Sequence, residues 1–110
     1  MQTDSTVERD VEGYLVEPDD WNQELAATLA AEENLVLTDD YWLVLNFVRD
    51  YWDEHKIIPD IRHVVDHMAK QGGTDKKAAK QQMFHLFPYG YVKQACKIAG
   101  MRRPRSWSTG

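Results

Sequence analysis

The side chains best suited to chemistry cluster near the C-terminus. Cys96 is the only cysteine, and it sits in the run Lys93-Gln94-Ala95-Cys96-Lys97. Thiolate is the reactive form of cysteine, and nearby cations favour it. Lys93 and Lys97 therefore make Cys96 a candidate redox or persulfide thiol. Two features oppose that role. Cys96 falls on the apolar side of an expected helix, toward the end where the dipole disfavours an anion. Free cysteine is also a common buried small apolar residue. The balance of these physical terms favours packing, and no other residue is assigned as catalytic.

The histidines offer less. His63 and His67 are spaced i, i+4, which suits a shared metal on one helix face. On a helical wheel they lie opposite the Ile61, Val64, Val65, Met68 stripe, and the glutamate of an HExxH motif is absent. A solvated pair is expected, and no metal is assigned. His55 and His85 have no serine or cysteine partner at a recognisable spacing. Gly72-Gly73 lacks the Lys-Ser/Thr of a phosphate loop. No cofactor is expected.

After Cys96 comes a basic, proline-broken stretch with Arg102, Arg103, Arg105 and Trp107. Those residues suit contact with phosphates and stacking on a base. They equally suit docking into an acidic groove on another protein, with Trp107 as anchor. Charge along the chain is divided. All 18 acidic residues lie at or before Asp75, in a segment with five Lys and Arg and a net charge of −13. From Lys76 onward there are eight bases and no acid, for a net charge of +8. Either a basic surface is presented by an acidic body, or acidic and basic segments pack as neighbours.

These residues have to be held by one domain, since 110 residues support a single core. No apolar run approaches a membrane span, and the N-terminus lacks a signal-peptide pattern. One cysteine cannot close an internal disulfide, which fits a reducing compartment. A cytoplasmic protein is expected.

Periodicity and punctuation predict the elements. Residues 1–5 read as a loose leader. Thr6 to Val16 carries β-favouring residues around Glu12-Gly13 and predicts a hairpin. Asp20 is the expected cap of a first helix, with Trp21, Leu25 and Leu29 on its inner stripe. Thr38-Asp39-Asp40 opens a second helix, whose Trp42, Leu45, Val48 and Trp52 make it the expected core helix. Asp60 caps a third helix, stopped at Gly72-Gly73. Thr74 or Asp75 opens a fourth, with Ala79, Met83, Leu86 and Phe87 inward and Pro88 as its close. A fifth runs from about Tyr89 to Ala99 with Gly100 as a left-handed stop. Residues 101–110 read as an extended arm. The expected fold is mainly α, with about five helices, an N-terminal β-hairpin and a C-terminal arm.

The chain resembles the DsrC/TusE/DsvC family of small sulfur-relay proteins, which includes the gamma subunit of dissimilatory sulfite reductase. The resemblance rests on Phe87-Pro88-Tyr89-Gly90, Lys93-Gln94-Ala95-Cys96, Ala99-Gly100 and Pro104. Upstream it includes Glu12-Gly13-Tyr14-Leu15, Asp20-Trp21, Leu37-Thr38, Trp42, Phe47-Val48-Arg49, Tyr51, Pro59 and Arg62. It implies a small orthogonal helical bundle with an N-terminal hairpin. It also implies sulfur carriage by a cysteine on the C-terminal arm, with a second cysteine eleven residues earlier. Cys96 matches that earlier cysteine, and the carrier position is Trp107. An indole cannot carry a sulfane sulfur, and one thiol cannot form the internal disulfide. The family includes members without one or both cysteines, and this chain resembles that branch. The implied role is non-catalytic docking to sulfur-relay or sulfite-reductase partners through Lys93, Lys97, Arg102, Arg103, Arg105 and Trp107. The alternatives are sulfur transfer through Cys96 alone and nucleic-acid binding by the basic third.

Overall fold

A computed structural model describes residues 7–103. The candidate residues Arg105 and Trp107, the greater part of the arm and the leader lie outside the described residues. Four α-helices run in chain order: α1 (Gln23–Glu32), α2 (Asp39–His55), α3 (Ile61–Gly72) and α4 (Lys76–Leu86). A π-helical segment, Tyr91–Cys96, follows and completes the bundle.

Local chemistry explains most of these boundaries. Asp60 accepts the Arg62 amide and Asp75 accepts the Ala78 amide, so two of the expected caps form as side-chain hydrogen bonds. Thr38 stands at the start of α2 without such a bond, and Asp39 and Asp40 occupy the first turn, where the dipole favours them. α1 starts later than expected. Pro18–Asp20 forms a separate 3-10 turn, Trp21 is extended, and Asn22 is the cap, accepting the Leu25 amide at 2.7 Å. The Asp20 cap is therefore corrected to Asn22. The reason is tertiary: Trp21 is held by the far end of the chain.

The expected N-terminal hairpin does not form. Among the described residues there is no β-strand, only one antiparallel bridge between Arg9 and Leu15. The Asp10 carboxylate accepts the amides of Glu12 and Tyr14, which ties the segment into a local loop in place of a ladder. Arg9 closes the loop by donating Nε–H to the Gly13 carbonyl at 2.9 Å.

α2 is the centre of the bundle, with Val44, Leu45 and Val48 buried. α3 packs against both α2 and α4, and α2 also meets the π-helical segment. Val64, Val65 and Met68 of α3, and Ala79, Met83, Leu86 and Phe87 from α4 and its end, are buried as their spacing predicts. Tyr41 meets Phe87 edge-on, with ring centroids 5.3 Å apart, and closes α2 over the end of α4. The His63 and His67 pair is not simply solvated. The His67 ring stacks on Phe47 at 4.4 Å and His63 on Tyr51 at 5.5 Å, because α2 covers that side of α3. Among the described residues no group of three or more His, Cys, Asp or Glu comes together as a metal site. No described helix is long and apolar enough to cross a membrane.

Candidate functional site

The last helical segment starts from a sharp turn. Pro88 ends α4, and Gly90 takes φ 108°, ψ 157°, a region open in practice only to glycine. The chain then enters Tyr91–Cys96 as a π-helix, a wider turn than the α-helix expected over 89–99. Buried Gln94 fastens this entry. Its side-chain oxygen accepts the Tyr89 amide at 3.0 Å, and its Nε2 donates to the Glu33 carboxylate at 3.1 Å.

Cys96 lies inside, with 0% of its surface exposed. Burial pushes its thiol up to about 12, and a hydrogen bond with the Tyr91 hydroxyl only partly opposes this. Tyr91 is itself buried and donates its hydroxyl to the Pro59 carbonyl, and burial drives its own pKa upward. The thiol is thus neutral at neutral pH and shielded from solvent in this conformation. Lys93 and Lys97 do not produce the thiolate that their sequence proximity suggests. Lys93 is exposed, and Lys97 points to Glu33, with Nζ to Oε2 at 3.7 Å.

Above this floor is a surface groove of about 500 Å³ between the N-terminal loop, the end of α1 and the π-helical segment. Tyr14, Tyr89 and Val92 supply its apolar surface, and Glu12, Glu33, Lys93, Lys97 and Arg103 supply its charges. Tyr14 donates its hydroxyl to the Val92 carbonyl at 3.1 Å, and Lys97 Nζ lies 5.5 Å from the centre of the Tyr14 ring. Burial, with smaller contributions from Cys96 and Glu12, pushes the Tyr14 hydroxyl up to about 12. Glu32, next to the groove, is gripped by Arg9 through two hydrogen bonds of 3.0 and 2.6 Å, which hold its carboxyl below the usual range.

The expected binding residues thus divide. Lys93, Lys97 and Arg103 share the groove. Arg102 lies at the base of the arm, donating Nε–H to the Val16 carbonyl at 2.8 Å with Nη2 3.8 Å from Glu17. Arg103 Nε lies 2.8 Å from Glu12. Of the two readings of the charge split, neighbour pairing is realised here: Lys97, Arg102 and Arg103 each meet an acid from the first 33 residues of the chain.

Sequence reasoning missed the residues that hold this site together. Trp21 donates its indole N–H to the Ile98 carbonyl at 2.8 Å. Arg49 donates through one Nη to both the Pro18 and Ala99 carbonyls, at 3.0 and 3.1 Å. Its guanidinium lies 4.6 Å from the Trp21 ring and 5.6 Å from the Trp52 ring. One signal was available: Arg49 is the single Lys or Arg within the aromatic-rich run Tyr41 to Trp52. A lone cation among core-facing aromatics points to buried carbonyl acceptors.

The family described as "DsrC like protein" matches residues 1–107. The chain belongs to the DsrC family. It is 43% identical over 98 residues to sulfurtransferase TusE of Buchnera aphidicola subsp. Schizaphis graminum, covering 89% of this chain and 85% of that one. It is 41% identical over 98 residues to sulfurtransferase TusE of Escherichia coli K12, covering 89% of each. The solution structure of Allochromatium vinosum DsrC is similar at TM-score 0.78 and 35% identity, covering 93% of this chain and 90% of that one. The oxidized gamma subunit of the dissimilatory sulfite reductase from Archaeoglobus fulgidus is similar at TM-score 0.78 and 28% identity, covering 93% and 92%. The fold is thus DsrC-like and mainly helical, and the family is that of the DsrC and TusE sulfur-relay proteins.

Proposed function

We propose that this DsrC-family chain is a non-catalytic binding or regulatory member that docks to sulfur-relay or sulfite-reductase partners through its C-terminal arm. The burial of Cys96, with its thiol pushed up to about 12, carries this reading. The only cysteine is thereby withdrawn from nucleophilic exchange, which requires an accessible thiolate. Trp107 stands eleven residues after Cys96, where the resemblance places the carrier. A large, rigid aromatic after three arginines suits anchoring in a partner's pocket. Lys93 at the groove and Arg105 in the arm add positive charge to the same end of the chain.

Capture of purified sulfite reductase and of purified relay partners by the immobilised chain tests this. Truncation after Arg103, and separately Trp107→Ala, are expected to weaken capture at least tenfold. Capture unchanged by both variants removes the arm from the interaction.

Identity of 41–43% to proteins named sulfurtransferase TusE favours a second reading, sulfur transfer through Cys96. It requires the thiol to open transiently to solvent. Intact-mass measurement after incubation with a persulfidated donor protein decides it. Absence of an added sulfur atom on Cys96 removes the second reading and leaves the first in place.

A further inference from the structure

Arg102 and Arg103, the first basic residues of the arm, are already engaged by the chain's own acidic loop. Arg103 Nε meets Glu12 Oε1 at 2.8 Å, and Arg102 meets Glu17 at 3.8 Å. The Arg102 Nε–H also donates to the Val16 carbonyl at 2.8 Å. Just before them, Met101 is fully buried, and its amide donates to the Cys96 carbonyl at 3.0 Å. The backbone is therefore anchored up to Met101, and beyond it, among the described residues, the Arg102 and Arg103 side chains are held by the loop. Both ion pairs are solvent-exposed, with 49–65% of each partner's side-chain surface accessible. Exposed pairs are weak and screened by salt, so they exchange readily for other acids.

We propose that Glu12 and Glu17 form an electrostatic clasp that occupies Arg102 and Arg103 in the free protein. An acidic surface on the docking partner binds by taking these arginines from the loop. The proposal rests on the arm-docking reading and adds the partner's chemistry and an internal competitor to it. It also explains why the N-terminal loop and the arm carry opposite charges at contact distance. Each arginine keeps a carboxylate partner throughout: Glu12 or Glu17 before docking, an acid of the partner after it. The internal pairs oppose premature capture of unrelated anionic surfaces. The groove beside the clasp presents Lys93, which has no ion-pair partner among the described residues, as a further contact for the same surface.

Trypsin reads the clasp without any partner. Cleavage between Arg102 and Arg103 requires Arg102 to leave Glu17 and Val16 and the anchored Met101 to open into the protease cleft, and only the first of these steps is changed by altering the glutamates. Cleavage after Arg105, outside the two pairs of the proposed clasp, gives an internal reference. In Glu12→Gln/Glu17→Gln the normalised cleavage at Arg102 is expected to rise three- to tenfold at low salt. High salt is expected to bring the wild-type chain toward the variant. Equal normalised rates at both salt levels, with unfolding midpoints unchanged, overturn the clasp while leaving arm docking untouched.

A second measurement tests the competition. Poly-L-glutamate, titrated at low salt, is expected to bind the double variant at least threefold more tightly than the wild type. Charge-conserving Glu12→Asp/Glu17→Asp is expected to stay closer to the wild type in that titration. Equal affinity of the wild type and the Gln variant overturns the competition.

Discussion

The Trp21 ring fills the space that a side chain on Gly100 would occupy. A Cβ on Gly100 would lie 2.3 Å from Trp21 Cδ1, and Gly100 has φ +79°. The Trp21 indole meanwhile donates to the carbonyl of Ile98. The pair seats the turn before α1 on the base of the C-terminal arm, and the groove is built next to that joint.

Gly100→Ala meets both a left-handed backbone and a steric overlap with a large ring. A loss of about 2–4 kcal/mol is expected, from the strain of a non-glycine residue at positive φ together with overpacking. Equilibrium urea unfolding measures it. A wild-type midpoint would show that Trp21 yields without cost.

Arg49 serves two carbonyls from one nitrogen and lies near two indoles. Arg49→Lys is expected to cost about 1–3 kcal/mol, since the shorter stem and compact, strongly hydrated ammonium do not reproduce the guanidinium's reach to both carbonyls beside two indoles. Arg49→Met is expected to cost more, because it leaves the Pro18 and Ala99 carbonyls without this donor. Thermal unfolding of the two variants checks the order, and a Met variant as stable as wild type would sink the assigned role.

Alkali is expected to unfold the protein through its buried acids. Burial raises the Cys96 thiol from an ordinary 9.0 to about 12 and the Tyr14 hydroxyl from 10.0 to about 12. Above pH 9 the unfolded chain loses these protons while the folded chain keeps them. The folded state then binds more protons, so stability falls with rising pH. This contribution is complete below about pH 9 and is lost progressively toward pH 12. Cys96→Ala is expected to flatten the first part of that decline. An identical pH profile in wild type and variant would count against a buried neutral thiol.

Burial also predicts slow labelling. At neutral pH a disulfide reagent is expected to modify Cys96 at least about a hundredfold more slowly in the native chain than in denaturant, because reaction awaits local opening. Equal rates in the two states would place the thiol at the surface and strengthen the sulfur-transfer reading.

Gln94 is fully buried between the Tyr89 amide and Glu33. Gln94→Leu keeps the bulk and leaves both partners without this contact, and about 1–3 kcal/mol of stability is expected to be lost. Gln94→Glu tests the electrostatics, since it sets a second carboxylate against Glu33. It is expected to destabilise most at neutral pH and less in acid. Native-state amide exchange at Tyr89 reads the local effect, and protection unchanged in both variants would remove Gln94 as the fastening residue.

Much of the fold is legible along the chain, because its signals act over three or four residues. The Asp60 and Asp75 caps, the α2 and α3 stripes and the Pro88 stop each depend only on near neighbours. The N-terminal segment misled for the same reason. Its β-favouring residues were visible, but Asp10 bonds locally and turns them into a loop with a single bridge. The helical wheel of α3 alone sets His63 and His67 toward solvent, whereas α2 decides their surroundings.

By itself the sequence determined the helical order, the family and the presence of one thiol, with Trp107 eleven residues beyond it. Those are matters of residue type and short spacing. Only the tertiary structure decided that Cys96 is enclosed and its thiol pushed up, and that Arg102 and Arg103 face Glu17 and Glu12. It also joined Tyr14 to Val92 and Trp21 to Ile98 across 78 and 77 positions. Burial and ion pairing depend on which distant segments share a surface, and chain closure over such separations is set by the whole core rather than by any one motif.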